Sequence, residues 1–356
     1  MINENSYGSD VANELGLIGN PYGNEVAGEV GLTSAAYGNE VATAINERPT
    51  GTLRVVQYNI GHFNMGSAPA PTGNNPSSST VLINSSKSDG YPSSLDRNYS
   101  TQLSRWTSRI SGLNADIIGI EEYNKYFGYN GGSVVTTTDA NIFDGFTLSI
   151  GRMGKSLING NEQTNGWQWN ALASKYAMSN AADEELGSTG NNIAKCYAHY
   201  ARVTIDGKSV LIASTHLHWA QNSDAVTSRA LEIQHLVNWL DDEPYFILMG
   251  DFNTDGIYVA SGKTEQQYMA GVSDFSPFVE AGFTLANHGN FGDLKTCTAT
   301  NSRPDIGASE PFRNRPYCYL DNIITKGFTM SNVRVIDDGT ITDHCGVVAD
   351  LTLIDS

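Results

Sequence analysis

The nine residues Tyr245-Phe246-Ile247-Leu248-Met249-Gly250-Asp251-Phe252-Asn253 join an apolar run to a polar ending. A short apolar run bounded by polar residues is typical of a buried β-strand. This run leads into a carboxylate, Asp251, and a carboxamide, Asn253. Alone, the polar ending could be an ordinary turn, so its significance depends on whether the pattern recurs.

Five other apolar runs also lead into acidic, amide or imidazole side chains. They lead into Asn59, Glu121-Glu122, His216, Asp321-Asn322 and Asp343-His344. Taken singly, each has a plainer explanation, such as a strand cap, a solvated helix start or a structural histidine. Ligands of α/β folds bind beyond the ends of strands, so six such endings at one sheet edge would form a site.

Strand and helix patterns alternate from residue 51 onward. Strands are predicted at 53–58, 116–120, 210–214 and 245–249. Apolar residues recur at helical spacing in two sets, Tyr99, Leu103, Trp106, Ile110 and Leu113, and Ala230, Ile233, Val237 and Leu240. Segments 66–91 and 180–192 are polar and predicted to be surface loops. Together these patterns predict a layered α/β domain over residues 51–356.

The first fifty residues contain a repeat with a period of fifteen. Tyr7-Gly8, Tyr22-Gly23 and Tyr37-Gly38 each begin a unit. Each unit is predicted to form a turn and a helix too short to be stable alone in water. We therefore interpret residues 1–50 as a segment that mediates homo-oligomerisation or docking to a larger assembly. A mobile linker is the alternative.

Net charge bears on the partners and the compartment of this chain. The 356 residues carry a formal charge of −17, which opposes the approach of nucleic acid or an anionic membrane unless a local cation offsets it.

The chain lacks an apolar run of about eighteen residues, so no transmembrane segment is expected. The polar start does not resemble a signal peptide. Association with a virion and export by a non-classical route are both open.

The four cysteines show no metal-binding spacing. Cys196, Cys297, Cys318 and Cys345 contain no Cys-x-x-Cys pair. Cys297 and Cys318 could form a disulfide, and buried free thiols are the alternative.

The polar motifs, taken in order, resemble those of the endonuclease/exonuclease/phosphatase superfamily. The similar segments are Gln57-Tyr58-Asn59-Ile60, Ile120-Glu121-Glu122-Tyr123-Asn124, 169–176, Thr215-His216-Leu217, 250–253, Leu320-Asp321-Asn322-Ile323 and Thr342-Asp343-His344. They span residues 53–353 and leave only the repeats outside. The resemblance implies a four-layered α/β sandwich, with two packed mixed β-sheets flanked by helices. It also implies a divalent-metal-dependent phosphodiester hydrolase.

The resemblance assigns metal and water chemistry to five residues. Glu122 would be the principal metal ligand, supported by Asn59 and Asp343. Asp251 would orient or deprotonate the attacking water, and Asn253 would hold the phosphate or the water. Mg²⁺ suits such hard oxygen ligands, with Mn²⁺ or Ca²⁺ as alternatives.

Four further residues would contact or orient the substrate. His344, oriented by a hydrogen bond to Asp321, would face the scissile phosphate, and His216 would donate to the phosphate or the leaving group. Asn170 would add a neutral donor. A bound cation would also allow this acidic protein to bind an anion.

Residues near His216 bear on the choice of substrate. Thr215-His216 resembles the secreted deoxyribonuclease and sphingomyelinase-like branches, but Tyr176 stands where pancreatic-type deoxyribonucleases place a partner glutamate. The sequence therefore leaves the partner of His216 unassigned. We favour a nuclease. The alternatives are hydrolysis of a lipid head group or a cell-envelope polymer, and an attachment protein with an accessory phosphoesterase domain. Phe63 and Trp219 could line the cleft or belong to the core.

Overall fold

The computed structural model describes residues 51–63, 99–130, 133–152, 154–158, 161–163, 169–187, 195–218, 223–253, 275–287, 320–336, 342 and 344–354. Several predictions fall outside these residues. They concern the repeats of residues 1–50, the loop 66–91, Trp219, the Cys297–Cys318 pair and Asp343, and all of them stay predictions.

Strands dominate the described part of the chain. The strands are β1 (Leu53–Asn59), β2 (Ile117–Tyr123), β3 (Tyr126–Asn130), β4 (Ser133–Thr136), β5 (Thr147–Arg152), β6 (Gly154–Ile158), β7 (Asn161–Gln163), β8 (Trp169–Ser174), β9 (Ser179–Glu185), β10 (Lys195–Ile205), β11 (Lys208–His216), β12 (Phe246–Asp251), β13 (Thr284–Leu285), β14 (Asp321–Lys326), β15 (Phe328–Ile336) and β16 (Gly346–Leu353). The helices are α1 (Tyr99–Gly112), α2 (Ser223–Leu240) and α3 (Ser276–Glu280), with a 3-10 turn at Gly61–Phe63.

Two large mixed sheets contain most of these strands. Sheet one has the order β15-β16-β1-β2-β8-β5, and sheet two has the order β13-β14-β12-β11-β10-β6-β7, with β9 also paired to β10. Each sheet contains one parallel pair between neighbours, β1 with β2 in sheet one and β11 with β12 in sheet two. Strands β3 and β4 form a separate hairpin.

The alternation of side chains along the strands produces three layers of apolar packing. Val56 and Ile118 on the outer face of sheet one pack with Trp106 of α1. Their neighbours Val55 and Ile117 face inward and belong to the core between the sheets. On the outer face of sheet two, a third cluster joins Leu211, Leu248 and Phe246 to Ile233 and Leu236 of α2 and to Phe278 of α3. The order is therefore helix, sheet, sheet, helices, which confirms the predicted four-layered α/β sandwich.

One segment has a different structure from the predicted one. The polar stretch predicted as a loop at 180–192 begins within strand β9 (Ser179–Glu185), and most residues of β9 are exposed. Among the described strands, β9 pairs with β10 alone, at the edge of sheet two. An edge strand of this kind needs no apolar face, so its sequence lacks the alternation on which the prediction relied.

Two smaller observations concern sequence predictions. Among the described residues, no helix has the length and apolar character needed to cross a membrane. Cys196 and Cys345 are buried free thiols, and neither interpretation of Cys297 and Cys318 is tested.

Candidate active site

The parallel pairs bring four polar residues to one edge of the sandwich. In sheet one, β1 and β2 run together, with Asn59 in register with Glu121. In sheet two, β11 and β12 run together, with His216 in register with Asp251. Because parallel strands end at the same edge, the polar endings seen in the sequence lie side by side.

Asp321 and His344 arrive at this edge from the opposite direction. The sequence pattern placed both at strand ends, which was wrong for Asp321, whereas the segment before His344 lies partly outside the described residues. Asp321 is the first residue of β14, which runs antiparallel to β12 and pairs Asp321 with Asp251. His344 lies just before β16, which runs antiparallel to β1. An antiparallel strand begins where its neighbour ends, so both residues still reach the predicted edge.

Asp251 lies at the centre of the site. Its Oδ2 atom is 2.9 Å from Asn59 Nδ2, 3.3 Å from His216 Nε2 and 3.5 Å from His344 Nε2. Its Oδ1 accepts a hydrogen bond from the Asn253 backbone N–H at 2.9 Å. The structure thus supplies the contact of His216 that the sequence left unassigned, and it is the carboxylate of Asp251.

The predicted hydrogen bond between His344 and Asp321 is present. His344 Nδ1 lies 2.8 Å from Asp321 Oδ2. The other oxygen of Asp321 accepts from Gln57 Nε2 at 2.7 Å. That amide also donates to Glu121 Oε2 at 2.8 Å, and Glu121 Oε1 lies 3.0 Å from Ser214 Oγ. A buried network of hydrogen bonds through Asp321, Gln57, Glu121 and Ser214 therefore fixes the orientation of His344.

Sequence reasoning missed Gln57 and Ser214 as members of this network. Both are fully buried polar residues that directly follow the apolar runs of β1 and β11. Each lies two residues before a predicted site residue, Gln57 before Asn59 and Ser214 before His216. Since strand side chains alternate with a period of two, that spacing puts each pair on one face. This spacing was the signal that could have found them.

The electrostatics of Glu121 show how much negative charge is gathered here. Burial raises the pKa of the Glu121 carboxyl well above its usual range, and the charges of Asp321 and Asp251 raise it further. Hydrogen bonds from Ser214 and Gln57 act in the opposite direction but do not compensate. Grouped carboxylates of this kind repel one another, and a bound cation would relieve that repulsion.

A β-bulge separates the roles of two consecutive glutamates. The register between β2 and β8 shifts between Ile120 and Tyr123, and Glu122 has a φ of 53°. Positive φ is unfavourable for a residue with a long side chain and concentrates at functional sites. The bulge leaves Glu121 buried between the sheets, while Glu122 Oε1 lies 3.4 Å from Asn59 Nδ2.

The side-chain set fits a divalent metal ion. Asp251, Asp321 and His344 each offer a ligand atom within 4.8 Å of the others. Glu122 adjoins this trio through Asn59, whose Nδ2 approaches both Glu122 and Asp251. Carboxylate-rich sets suit Mg²⁺ or Mn²⁺. The predicted ligands Glu122 and Asn59 thus lie beside the trio, and their roles stay predictions.

Three predicted site amides already make hydrogen bonds within the protein. Asn59 Oδ1 accepts from the Gly61 N–H at 3.0 Å, so the amide would have to turn to present its oxygen to a metal. Asn253 Nδ2 donates to the Leu217 carbonyl at 3.1 Å. Asn170 is fully buried and donates to the carbonyls of Tyr197 at 2.8 Å and Arg152 at 3.1 Å. The N–H groups of Asn170 thus join β8 to β5 and β10. These hydrogen bonds would have to break before Asn170 could donate to a phosphate, as was predicted.

Phe63 and Tyr176 belong to packing rather than to the cleft. Phe63 is fully buried, and its ring centroid lies 5.1 Å from that of Trp106 and 5.3 Å from that of Phe127. Tyr176 packs against the core between the sheets. Of the two interpretations of Phe63, the core one is therefore correct.

Comparison with known proteins was informative only at the level of structure. No family model and no curated protein matches the sequence. Similar solved structures include an endonuclease/exonuclease/phosphatase from Beutenbergia cavernae, with a TM-score of 0.55, 16% identity, and coverage of 85% of this chain and 72% of that one. The catalytic domain of human nocturnin with a bound sulfate anion has a TM-score of 0.51 and 16% identity, covering 85% and 94%.

A third similar structure is the mannosyl-6-phosphatase of Bacteroides thetaiotaomicron. It has a TM-score of 0.50 and 14% identity, and the match covers 85% of this chain and 100% of that one. Identities this low establish the architecture and leave the activity to be argued from the side chains. The chain has the fold of the endonuclease/exonuclease/phosphatase proteins.

Proposed function

We propose that this protein is a divalent-metal-dependent phosphodiester hydrolase whose substrate is a nucleic acid. The observation that supports the proposal best is the convergence of Asp251, Asp321 and His344, with ligand atoms within 4.8 Å of one another. They meet at the rim of a sandwich that resembles known phosphatases and nucleases. The positive charge of the bound metal ion would offset, at the site, the repulsion between a nucleic acid and a chain whose formal charge is −17.

The metal would be held by oxygen ligands beside Asn59. Glu122 is the proposed principal ligand, and Asp251 and Asp321 lie close enough to adjoin the same ion. When bound, the ion would polarise the phosphoryl oxygen and stabilise the charge that develops in the transition state.

The protein side chains would carry out the proton transfers. The Asp251 carboxylate would accept a proton from the attacking water as the new P–O bond forms. Asp321 holds His344 by its Nδ1 atom, at 2.8 Å, which would direct Nε2–H toward a non-bridging phosphate oxygen. His216, 3.3 Å from Asp251 Oδ2, would return a proton to the leaving oxygen as the old P–O bond breaks.

Hydrolysis of bis(p-nitrophenyl) phosphate tests the reaction and the two central residues. We expect Mg²⁺-dependent release of p-nitrophenol that EDTA abolishes. Asp251→Ala or His344→Ala should lower the rate at least about a hundredfold, since each removes a proton-transfer group or an electrostatic donor. Asp241→Ala is a matched control at an exposed carboxylate. Near-normal turnover in both site variants, with melting curves like that of the wild type, would contradict the assignment.

A substrate panel tests the choice of nucleic acid. Plasmid DNA, RNA, sphingomyelin, teichoic acid and inositol phosphates would each be incubated with Mg²⁺ or with EDTA. We expect Mg²⁺-dependent cleavage of DNA or RNA. Turnover of sphingomyelin or teichoic acid alone would replace the nuclease with a lipid or envelope phosphodiesterase. If the folded protein turned over none of them, an attachment protein with an accessory domain would be favoured.

We also propose that residues 1–50 mediate attachment or self-association. Residues 1–50 fused to a monomeric reporter would be examined by mass photometry. Oligomers are expected, because the short repeats need partners to cover their apolar faces. A strictly monomeric fusion would leave docking to another assembly, or a linker, as the role of the repeats.

A further inference from the structure

Three side chains outside the proposed active site are joined by two short hydrogen bonds. Ser149 Oγ on β5 lies 2.8 Å from His199 Nε2 on β10. The other ring nitrogen of His199, Nδ1, lies 2.8 Å from Asp183 Oδ1 on β9. A hydroxyl on one imidazole nitrogen and a carboxylate on the other is the arrangement that activates serine nucleophiles, and it is recognised by geometry on unrelated folds.

The surroundings hold the imidazole in one orientation. His199 is 3% exposed, and a Cβ atom at Gly151 would lie 1.9 Å from His199 Nδ1 and 2.2 Å from Asp183 Oδ1. Only glycine therefore allows β5 to approach so closely. The Arg152 backbone N–H donates to Asp183 Oδ1 at 3.0 Å, which fixes the carboxylate as well.

The serine and the aspartate remain accessible at the edges of the sheets. Strand β5 is the last strand of sheet one, and Ser149 is only partly buried. Strand β9 lies at the edge of sheet two, and the Asp183 side chain is 25% exposed. The buried base thus lies between a reachable hydroxyl and a supporting carboxylate.

We propose that Ser149, His199 and Asp183 form a second hydrolytic site that cleaves a neutral carboxylic ester. An uncharged electrophile is favoured because the carboxylate of Asp183, 2.8 Å from His199 Nδ1, would repel an anionic one. The three residues are distinct from those of the proposed phosphodiesterase site. The proposal therefore does not depend on that function.

The reaction follows from the three contacts. Ser149 Oγ bonds to the ester carbonyl carbon while its proton passes to His199 Nε2, and Asp183 stabilises the imidazolium. The C–O bond to the alcohol then breaks, and the alcohol leaves with that proton. Water, deprotonated by His199, hydrolyses the acyl-Ser149 ester, which releases a carboxylic acid and restores the serine.

A fluorophosphonate probe tests the nucleophile in the full-length wild-type protein. In the presence of EDTA, Ser149 Oγ should bond to phosphorus as the P–F bond breaks and fluoride leaves. We expect peptide mass spectrometry to find the adduct on Ser149. His199→Gln should slow labelling at least about a hundredfold, the usual contribution of a general base. Asp183→Asn should also slow it.

Matched variants separate this site from the rest of the protein. Ser149→Ala should abolish labelling and the hydrolysis of p-nitrophenyl butyrate, whereas Ser209→Ala, at an exposed serine on β11, should leave both unchanged. Asp251→Ala should retain the esterase activity, so the two proposals can fail separately. The absence of a Ser149 adduct on the wild-type protein, or equal labelling of folded His199→Gln, would overturn the proposal. The contacts would then only join the two sheets.

Discussion

Buried carboxylates lie near both ends of β1, paired with an arginine at its start and grouped with one another at its end. At its start, the Arg54 side chain meets Asp350 through two hydrogen bonds, Nε to Oδ1 at 2.7 Å and Nη2 to Oδ2 at 2.9 Å. The Arg54 backbone N–H also donates to Asp116 at 2.9 Å. At the other end, Asn59 leads into a cluster in which the carboxylates of Asp251, Asp321 and Glu121 face one another.

The pKa values show the consequence of the difference. Burial disfavours the ionised form of Asp350, but hydrogen bonds from Arg54 and Asn332 and the charges of Arg54 and Arg334 outweigh it and lower the pKa. Burial also disfavours the ionised form of Glu121 and raises its pKa, and the neighbouring charges of Asp321 and Asp251 raise it further. A buried carboxylate paired with arginine stays ionised, whereas grouped buried carboxylates favour the binding of a cation.

Removing the arginine should have the largest effect on stability. Arg54 and Asp350 have side chains that are 0% exposed, so Arg54→Met removes the main ion-pair partner of a buried carboxylate at a cost of about 3–5 kcal/mol. Urea unfolding at neutral pH measures this cost. The double variant Arg54→Met/Asp350→Leu should regain most of it, because no charge is left unpaired. A loss below about 1 kcal/mol in the single variant would contradict the structural role.

Glu232, on the buried side of α2, is a third buried carboxyl whose pKa is shifted. Burial raises its pKa to about 7, against hydrogen bonds from the His218 N–H and Cys196 and the charge of Arg229. Between about pH 4.5 and 7, Glu232 is therefore protonated in the folded state and ionised in the unfolded state. Stability contributed by this proton is therefore present below about pH 4.5 and lost as the pH rises through 7, by on the order of 3 kcal/mol.

The variant Glu232→Gln should lack this loss of stability with rising pH. Urea midpoints at pH 5 and pH 8 measure it, because a neutral amide of the same shape does not titrate. Glu280→Gln, at an exposed position of α3, should behave like the wild type. An equal pH dependence in Glu232→Gln and the wild type would mean that other groups carry the effect.

Asp321→Asn should reduce activity without reducing stability. The asparagine keeps an oxygen for Gln57 but turns an amide N–H toward His344 Nδ1, which favours the wrong tautomer of the ring. Turnover of bis(p-nitrophenyl) phosphate should fall about a hundredfold, while the midpoint of unfolding in EDTA stays the same or rises, because one repelling charge is gone. Asp350→Asn, at the other end of β1, should lower the midpoint of unfolding and leave the turnover unchanged. Loss of stability in Asp321→Asn would abolish the distinction between the two ends.

Glu122→Gln should have the smallest effect, on metal dependence alone. The amide keeps the shape but lacks the negative charge of the proposed ligand, so the Mg²⁺ concentration for half-maximal rate should rise about tenfold or more. Glu184→Gln, on β9 and outside the cluster, serves as the control. An Mg²⁺ titration identical to that of the wild type would remove Glu122 from the ligand set.

The sequence by itself determined four central strands, β1, β2, β11 and β12, and the polar residues at their ends. Runs such as residues 245–253 predict a buried strand because the alternation and length of apolar side chains are properties of a local segment. The helical spacing from Tyr99 to Leu113 likewise predicted α1, which packs on sheet one through Trp106 and Ile110. The strands extend slightly beyond the predicted limits, through His216 and Asp251.

Only the tertiary structure decided how these residues meet. Asp321 and His344 enter the site at the starts of antiparallel strands, the bulge gives Glu122 its positive φ, and the contact of His216 with Asp251 comes from the pairing of β11 with β12. Ser149, Asp183 and His199 carry no local signal at all, since they lie on three strands of two different sheets. Register, bulges and the packing of one sheet on another depend on the whole chain, so a local pattern cannot encode them.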